Sequence, residues 1–300
     1  MSNAPVMESE NAIGSLVPRF AMGRVVLTVN DLDRVRSFYE HVAGLHLLHQ
    51  DGTTAELGIG DRVLLELRRD GSARRRSPRE AGLFHTAFLL PSRGDLAHWV
   101  KNAIEKRTPV VGTSDHSVSE AIYLTDPEKN GVEIYADRPK SSWVWNNGAV
   151  TMPSDPLDLN ALLAVAGDRN WAGFPEGSTL GHVHLQVGAI APAEAFYSDL
   201  LGLDVTCRYS GGSFYAADGY HHHIATNIWN SRGATPRDYP STGLAGLEIE
   251  IDPSRAGLIS TRGRGLTADD QRFRLRDPWN TEIAIVPVAT RRSVNQRKGS

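Results

Sequence analysis

Histidine is the residue type that stands out in this chain. Its 300 residues include 11 histidines, three of them consecutive at His221–His223, and 35 acidic residues that could stand beside them. Imidazoles and carboxylates are the side chains that ligate divalent first-row metals, and imidazole also exchanges protons near neutral pH. Cysteine chemistry is closed by contrast. With Cys207 alone there is no internal disulfide, no CxxC redox pair and no cysteine-rich zinc site. A solitary histidine on a strand is more often a hydrogen-bonded core residue than a ligand. The histidines therefore gain weight only if several fall at equivalent points of a repeated pattern.

Such a pattern exists. GRVVLTVNDLDRVRSFYEHVAGLHLL starts at Gly23 and GHVHLQVGAIAPAEAFYSDLLGLDVT at Gly181. Both run from glycine through an alternating strand, a polar break and a helix ending in Phe-Tyr to a Gly-Leu turn, the signature of an internal repeat. Each half divides again, giving four modules that read strand, helix, strand, strand, strand. Module one covers roughly 20–69, with a strand at 25–29, a helix at 31–42 capped by Asp31, and strands near 54–57 and 63–67. Module two opens at Gly82 with FHTAFLL, continues in a helix at 94–106, and ends in strands at 120–124 and 132–136. Module three opens at Gly181, has its helix near 192–201, and ends in a strand through HHHIATNIW. Module four opens at Gly243 with GLAGLEIEID and closes with RFRLRDPWNTEIAIVPV. The expected organisation is a tail at 1–19, a first double-module domain at 20–140, an ordered connector at 141–178 with a helix near 157–166, a second double-module domain at 179–290, and a tail at 291–300.

Composition excludes several classes. Hydrophobic residues are 40% and charged residues 22%, enough for a buried core. A net charge of −3, from 32 basic and 35 acidic residues, offers no basic stripe for nucleic acid. The arginine-rich RRDGSARRRSPRE starting at Arg68 reads as a solvated loop. No apolar run reaches the ~20 residues of a membrane span, and the N-terminal segment has no apolar signal core. These features lead to the expectation of a soluble, cytoplasmic protein.

Four βαβββ modules in two halves resemble the vicinal oxygen chelate superfamily. SDHSVSEAIYLTDPEKNGVEIYADRP, LGHVHLQV and DGYHHHIATNIW further resemble extradiol catechol 2,3-dioxygenases of the bacillus type, over roughly residues 20–230. The resemblance implies an α+β fold in which paired modules form open, cup-like barrels around a divalent metal. It implies two histidines and one carboxylate as ligands, drawn from the first and last strands of modules. On this chain those are His85, His182 directly after Gly181, and Glu133, seven residues after Asp126 of the Asp-Pro turn. Arg24 and Gly246 stand at the corresponding places of modules one and four, and Glu282 lies two residues short of the register that reaches Ala284. Many relatives keep all three ligands in the last two modules. Here the set requires module two to face module three.

By the same resemblance Tyr123 hydrogen-bonds a substrate oxygen, His116 contacts a substrate oxygen, and His222 is the acid–base group beside dioxygen. Alternation places His222 on one strand face, with His221 and His223 on the other. The implied cofactor is Fe(II), with Mn(II) as the alternative, and the implied partners are a small aromatic diol and O2; relatives often form homo-oligomers. The implied reaction inserts both oxygen atoms next to the diol and yields a ring-opened semialdehyde. Three competing readings remain at this level. His184 shares a face with His182 and could replace it. A glyoxalase-like isomerase or lyase would use Glu66, His85 and Glu133, with Arg24 as counter-ion. A metal-free resistance protein would only sequester a small molecule.

Overall fold

In a computed structural model the described residues are 20–168, 171–262, 267–269 and 272–288. The expected tails, 1–19 and 291–300, lie outside them. Module one is β1 (Phe20–Val29), α1 (Leu32–Phe38), β2 (His46–Gln50), β3 (Thr54–Ile59) and β4 (Arg62–Arg69). Module two is β5 (Gly82–Leu89), α2 (Arg93–Glu105), β6 (Gly112–Asp115), β7 (Ser119–Thr125) and β8 (Gly131–Asp137). The connector holds a two-residue hairpin, β9 (Trp145–Asn146) and β10 (Ala149–Val150), and a short α3 (Leu159–Leu163). Module three is β11 (Thr179–Gln186), α4 (Ile190–Glu194), β12 (Asp204–Tyr209), β13 (Gly212–Ala216) and β14 (Ile224–Asn227). Module four is β15 (Gly243–Ile251), α5 (Pro253–Arg262), β16 (Thr267–Asp269), β17 (Arg272–Arg276) and β18 (Glu282–Pro287). The mixed α+β fold of four βαβββ modules is thus as the sequence leads one to expect.

Local chemistry sets the element boundaries. Asp31 accepts from Arg34 N–H at the start of α1, and Ser92 accepts from Asp95 N–H at the start of α2. After Phe38 and after Glu194 the helices widen into single π turns, Tyr39–Ala43 and Ala195–Leu200. The Phe-Tyr signature explains itself there. The Tyr39 hydroxyl reaches Asp126 at 3.4 Å, and Tyr197 reaches Asp277 at 3.0 Å. Each tyrosine of an odd module thus bonds the Asp-Pro aspartate of the next module. Those aspartates also organise their own turns: Asp126 accepts from the N–H groups of Glu128 and Asn130 at 2.8 and 2.9 Å.

The described strands form two eight-stranded sheets and the β9–β10 pair. One sheet joins modules four and one through antiparallel β1 and β15; the other joins modules three and two through antiparallel β5 and β11. Within each module the first and last strands are parallel, as β5 and β8 are, because the crossover helix returns the chain in the same direction. The sheets therefore pair modules across the two halves of the chain, and module two does face module three. Helices cover the outer faces. Trp99 of α2 is wholly buried and donates to the Ala43 carbonyl at 2.9 Å, tying module two to module one.

One local expectation needs correction. Regular strand begins only at Ile224, so His221–His223 form the bend before β14 rather than part of it. His223 is still held on both sides, its N–H donating to the Tyr215 carbonyl at 2.8 Å and its carbonyl accepting from Val183 at 3.0 Å. The His221 and His222 rings instead lie against each other, 4.7 Å between centroids, so they do not occupy opposite faces of a strand.

Candidate metal centre

Sheet register builds the centre around one small residue. Ala87 in the middle of β5 has His182 of β11 opposite it on one side and Glu133 of β8 on the other. His85 lies two residues earlier on β5, directly opposite His184. Period-2 alternation puts all four polar side chains on the same face, the concave one. Ala87 is fully buried, and its single methyl leaves room for them to converge. Gly181 allows the crowding behind His182, because a Cβ there would fall 1.8 Å from the Tyr135 hydroxyl.

His85, Glu133 and His182 are all buried, and each offers a ligand atom within 4.8 Å of the others. His85 Nε2 lies 2.9 Å and His182 Nε2 3.1 Å from the same oxygen, Glu133 Oε2. His85 Nε2 nevertheless makes no hydrogen bond of acceptable geometry. Burial would raise the Glu133 carboxyl, but the two imidazoles outweigh it and hold the group well below the usual carboxylate range. Burial drives His182 down to about 4 in spite of the carboxylate, so at neutral pH its ring is uncharged. The result is an ionised carboxylate with two imidazole nitrogens facing one of its oxygens. Nitrogen and oxygen donors of this kind fit a divalent first-row metal.

The centre opens into a cavity of about 1000 Å³. Tyr123, His116, His184 and His222 line it. Tyr123 stands directly across the β7–β8 ladder from Glu133, which is why a spacing of ten residues through the Asp-Pro turn brings them together. His116 Nδ1 lies 2.6 Å from the Pro153 carbonyl, so Nδ1 carries the proton. Nε2 is then an acceptor, and the Tyr123 hydroxyl donates to it at 2.8 Å. Burial, with Glu133 nearby, raises the Tyr123 hydroxyl well above its ordinary value and keeps it protonated. His222 packs on His182 at 4.1 Å between ring centroids. Burial and the surrounding imidazoles push His222 well below its ordinary value, so its ring is uncharged at neutral pH. The connector supplies one wall: Asp115 and Asp155 exchange backbone hydrogen bonds, both 2.9 Å, which hold residues 152–157 against the cavity.

Two alternatives from the sequence are not assembled. His184 faces the cavity, but its Nε2 engages Asn227 Nδ2 at 3.0 Å, and it stands outside the three-residue group. Glu66 lies in the other sheet, so Glu66, His85 and Glu133 do not converge. The matching register there reads Val26 for Ala87, Gly246 for His182 and Glu66 for Glu133. Arg24 takes the place of His85 and fills the position with a guanidinium, 2.9 Å from Glu66 and 3.4 Å from both Glu56 and Glu248. Glu282 faces Arg274 and Arg276 at 2.6 and 3.1 Å. Sequence reasoning missed His221, Asp137 and the connector wall. Asp137 was legible, since it follows Glu133 and Tyr135 on the same face of β8.

The buried neutral rings make a stability prediction. His182 stands at about 4 and His223, also depressed by burial, at about 3, against 6.5 ordinarily. Below about 6.5 the unfolded chain takes up protons that the fold refuses, so this stability is complete above that pH and is lost as pH falls towards 4. The slope is roughly 1.4 kcal/mol per pH unit per ring, or about 3 kcal/mol for His182 over the window. Urea denaturation of metal-free protein at about pH 7 and about pH 4.5 measures this. Equal midpoints would show that these rings are not neutral in the fold.

Comparison with known proteins identifies the family. The family model of the Glyoxalase/Bleomycin resistance protein/Dioxygenase superfamily matches residues 21–134. Catechol-2,3-dioxygenase of Bacillus subtilis (strain 168) is 38% identical over 267 residues, 86% of this chain and 93% of that protein. Biphenyl-2,3-diol 1,2-dioxygenase 3 of Rhodococcus globerulus is 32% identical over 130 residues, 41% of this chain and 65% of that protein. In fold, glyoxalase I from Zea mays is similar with a TM-score of 0.57 at 16% identity, over 89% of this chain and 92% of the other. On the strength of the match along nearly the whole Bacillus enzyme, the chain belongs to the Glyoxalase/Bleomycin resistance protein/Dioxygenase superfamily and, within it, to the family of that catechol-2,3-dioxygenase.

Proposed function

We propose that the chain is an extradiol dioxygenase that holds Fe(II) at His85, Glu133 and His182 and opens the ring of a catechol next to the diol. The observation that carries this reading is the convergence of two imidazoles and one carboxylate on the wall of a large cavity whose lining also includes the Tyr123–His116 pair and His222. A ferrous ion held there would supply open coordination positions for the diol and dioxygen and a path for electrons from the one to the other; Mn(II) accepts the same donors.

The protein's own groups divide the remaining work. Tyr123 offers a hydroxyl beside the metal ligands, kept neutral by burial, whose oxygen accepts from a hydroxyl of the diol while its own O–H donates to His116. His116 fixes that hydroxyl through the 2.8 Å contact. His222, neutral at rest, takes a proton from the diol at one stage and returns it at another. Phe84, Phe214 and Met152 give the cavity apolar walls that hold an aromatic ring and limit water. The test is anaerobic loading with Fe(II), addition of catechol, and admission of air. A yellow product with one O2 consumed per catechol is expected. No oxygen uptake by fully loaded protein across a panel of substituted catechols would overturn the assignment.

A further inference from the structure

His222 does not stand alone. Its Nδ1 lies 2.7 Å from Nδ1 of His221, and His221 Nε2 lies 2.9 Å from Asp137 Oδ1. His221 is completely buried, stacked on the Tyr220 ring at 4.1 Å and edge-on to Trp143 at 5.1 Å. Asp137 is held from a second direction: Tyr220 donates to Oδ1 at 3.3 Å, and the Tyr135 hydroxyl lies 2.9 Å from that of Tyr220. The three residues come from two modules. Asp137 ends β8, four residues beyond Glu133, and the two histidines precede β14.

We infer that Asp137 and His221 are positioning residues that set the tautomer of His222, so that its Nδ1 carries the proton and its Nε2 is the free base of the cavity. The argument needs only donor and acceptor inventory. An ionised carboxylate only accepts, so His221 Nε2 must carry a hydrogen. Neutral His221 then has its lone pair on Nδ1. The 2.7 Å contact must contain one proton, and it belongs to His222 Nδ1. Neutral His222 is left with its lone pair on Nε2. This is the logic by which a buried aspartate orients a catalytic histidine in hydrolytic triads, with one imidazole interposed. The wrong tautomer would present an N–H where a base is needed.

The inference rests on the proposed role of His222 as acid–base group, and its test separates the two. In metal-free protein, 15N NMR of the imidazole nitrogens should show His221 protonated at Nε2 and His222 at Nδ1. Asp137→Leu removes the acceptor, and the His222 pattern should then lose its Nδ1–H preference. Asp137→Ala, which also removes the acceptor, serves if the leucine variant does not fold; Asp137 is partly exposed, so neither opens the core. In metal-loaded enzyme the same variant should retain full metal content and an unchanged KM while kcat falls by about 10²-fold. His222 protonated at Nε2 in the wild type, or a tautomer unmoved by loss of Asp137, would overturn the inference. If instead His222→Ala turns over catechol at the wild-type rate, the acid–base reading itself fails, whatever the NMR shows.

Discussion

Glu133→Gln is expected to leave a folded protein that no longer keeps its metal. Glu133 is the one carboxylate of the group and is 2% exposed, with both histidine Nε2 atoms about its Oε2. Glutamine preserves shape and removes the charge that offsets a divalent cation in a buried site. Loss of an outer-shell partner alone typically costs ~10–100-fold in metal affinity, so loss of the anionic ligand should exceed that range. Turnover should fall with occupancy. The fold should survive, because the surrounding apolar core and both sheet registers are untouched. Metal analysis after dialysis, with a thermal melt of the metal-free protein, measures both. A variant that melts normally and still retains one tightly held metal per chain would remove Glu133 from the ligand set.

His222→Ala is expected to give the complementary result: metal and substrate bound, chemistry slowed. The His222 ring packs on His182 but is not among the three groups that converge. Loss of a positioned acid–base group typically costs about 10²–10⁴-fold in rate, and the effect should appear in kcat. Anaerobic binding of a chromogenic catechol reports the metal–substrate complex independently of turnover. The alanine also leaves space beside Phe214, 5.0 Å away between ring centroids, so His222→Gln is the companion that keeps volume. Parallel loss of metal in both variants would mean that His222 is a ligand and that the acid–base role belongs elsewhere.

The two variants test parts of the centre that were unequally legible in the sequence. His85, Glu133 and His182 each sit at a fixed step of the module, after an opening glycine or beyond the Asp-Pro turn, and strand periodicity carries that step directly onto a face. Tyr123 follows for the same reason, since the hairpin through Asp126 sets its register against Glu133. His222 follows from the resemblance alone, and the alternation expected to separate it from His221 and His223 fails because all three belong to the bend before β14. The bend still delivers its ring to the cavity. Arg24 stands where module one would need a ligand, but nothing local revealed that its guanidinium gathers Glu56, Glu66 and Glu248.

The sequence by itself determined the repeated module, its turns, and which side chains of each strand point together, because turn chemistry and period-2 alternation act over a few neighbouring residues. Only the tertiary structure decided that module two pairs with module three and module four with module one. That choice brings His182 opposite Ala87 and His221 beside Asp137, over separations of 95 and 84 residues. It is made by the antiparallel joining of first strands and by burial of the faces they share, quantities that exist only once distant segments have met.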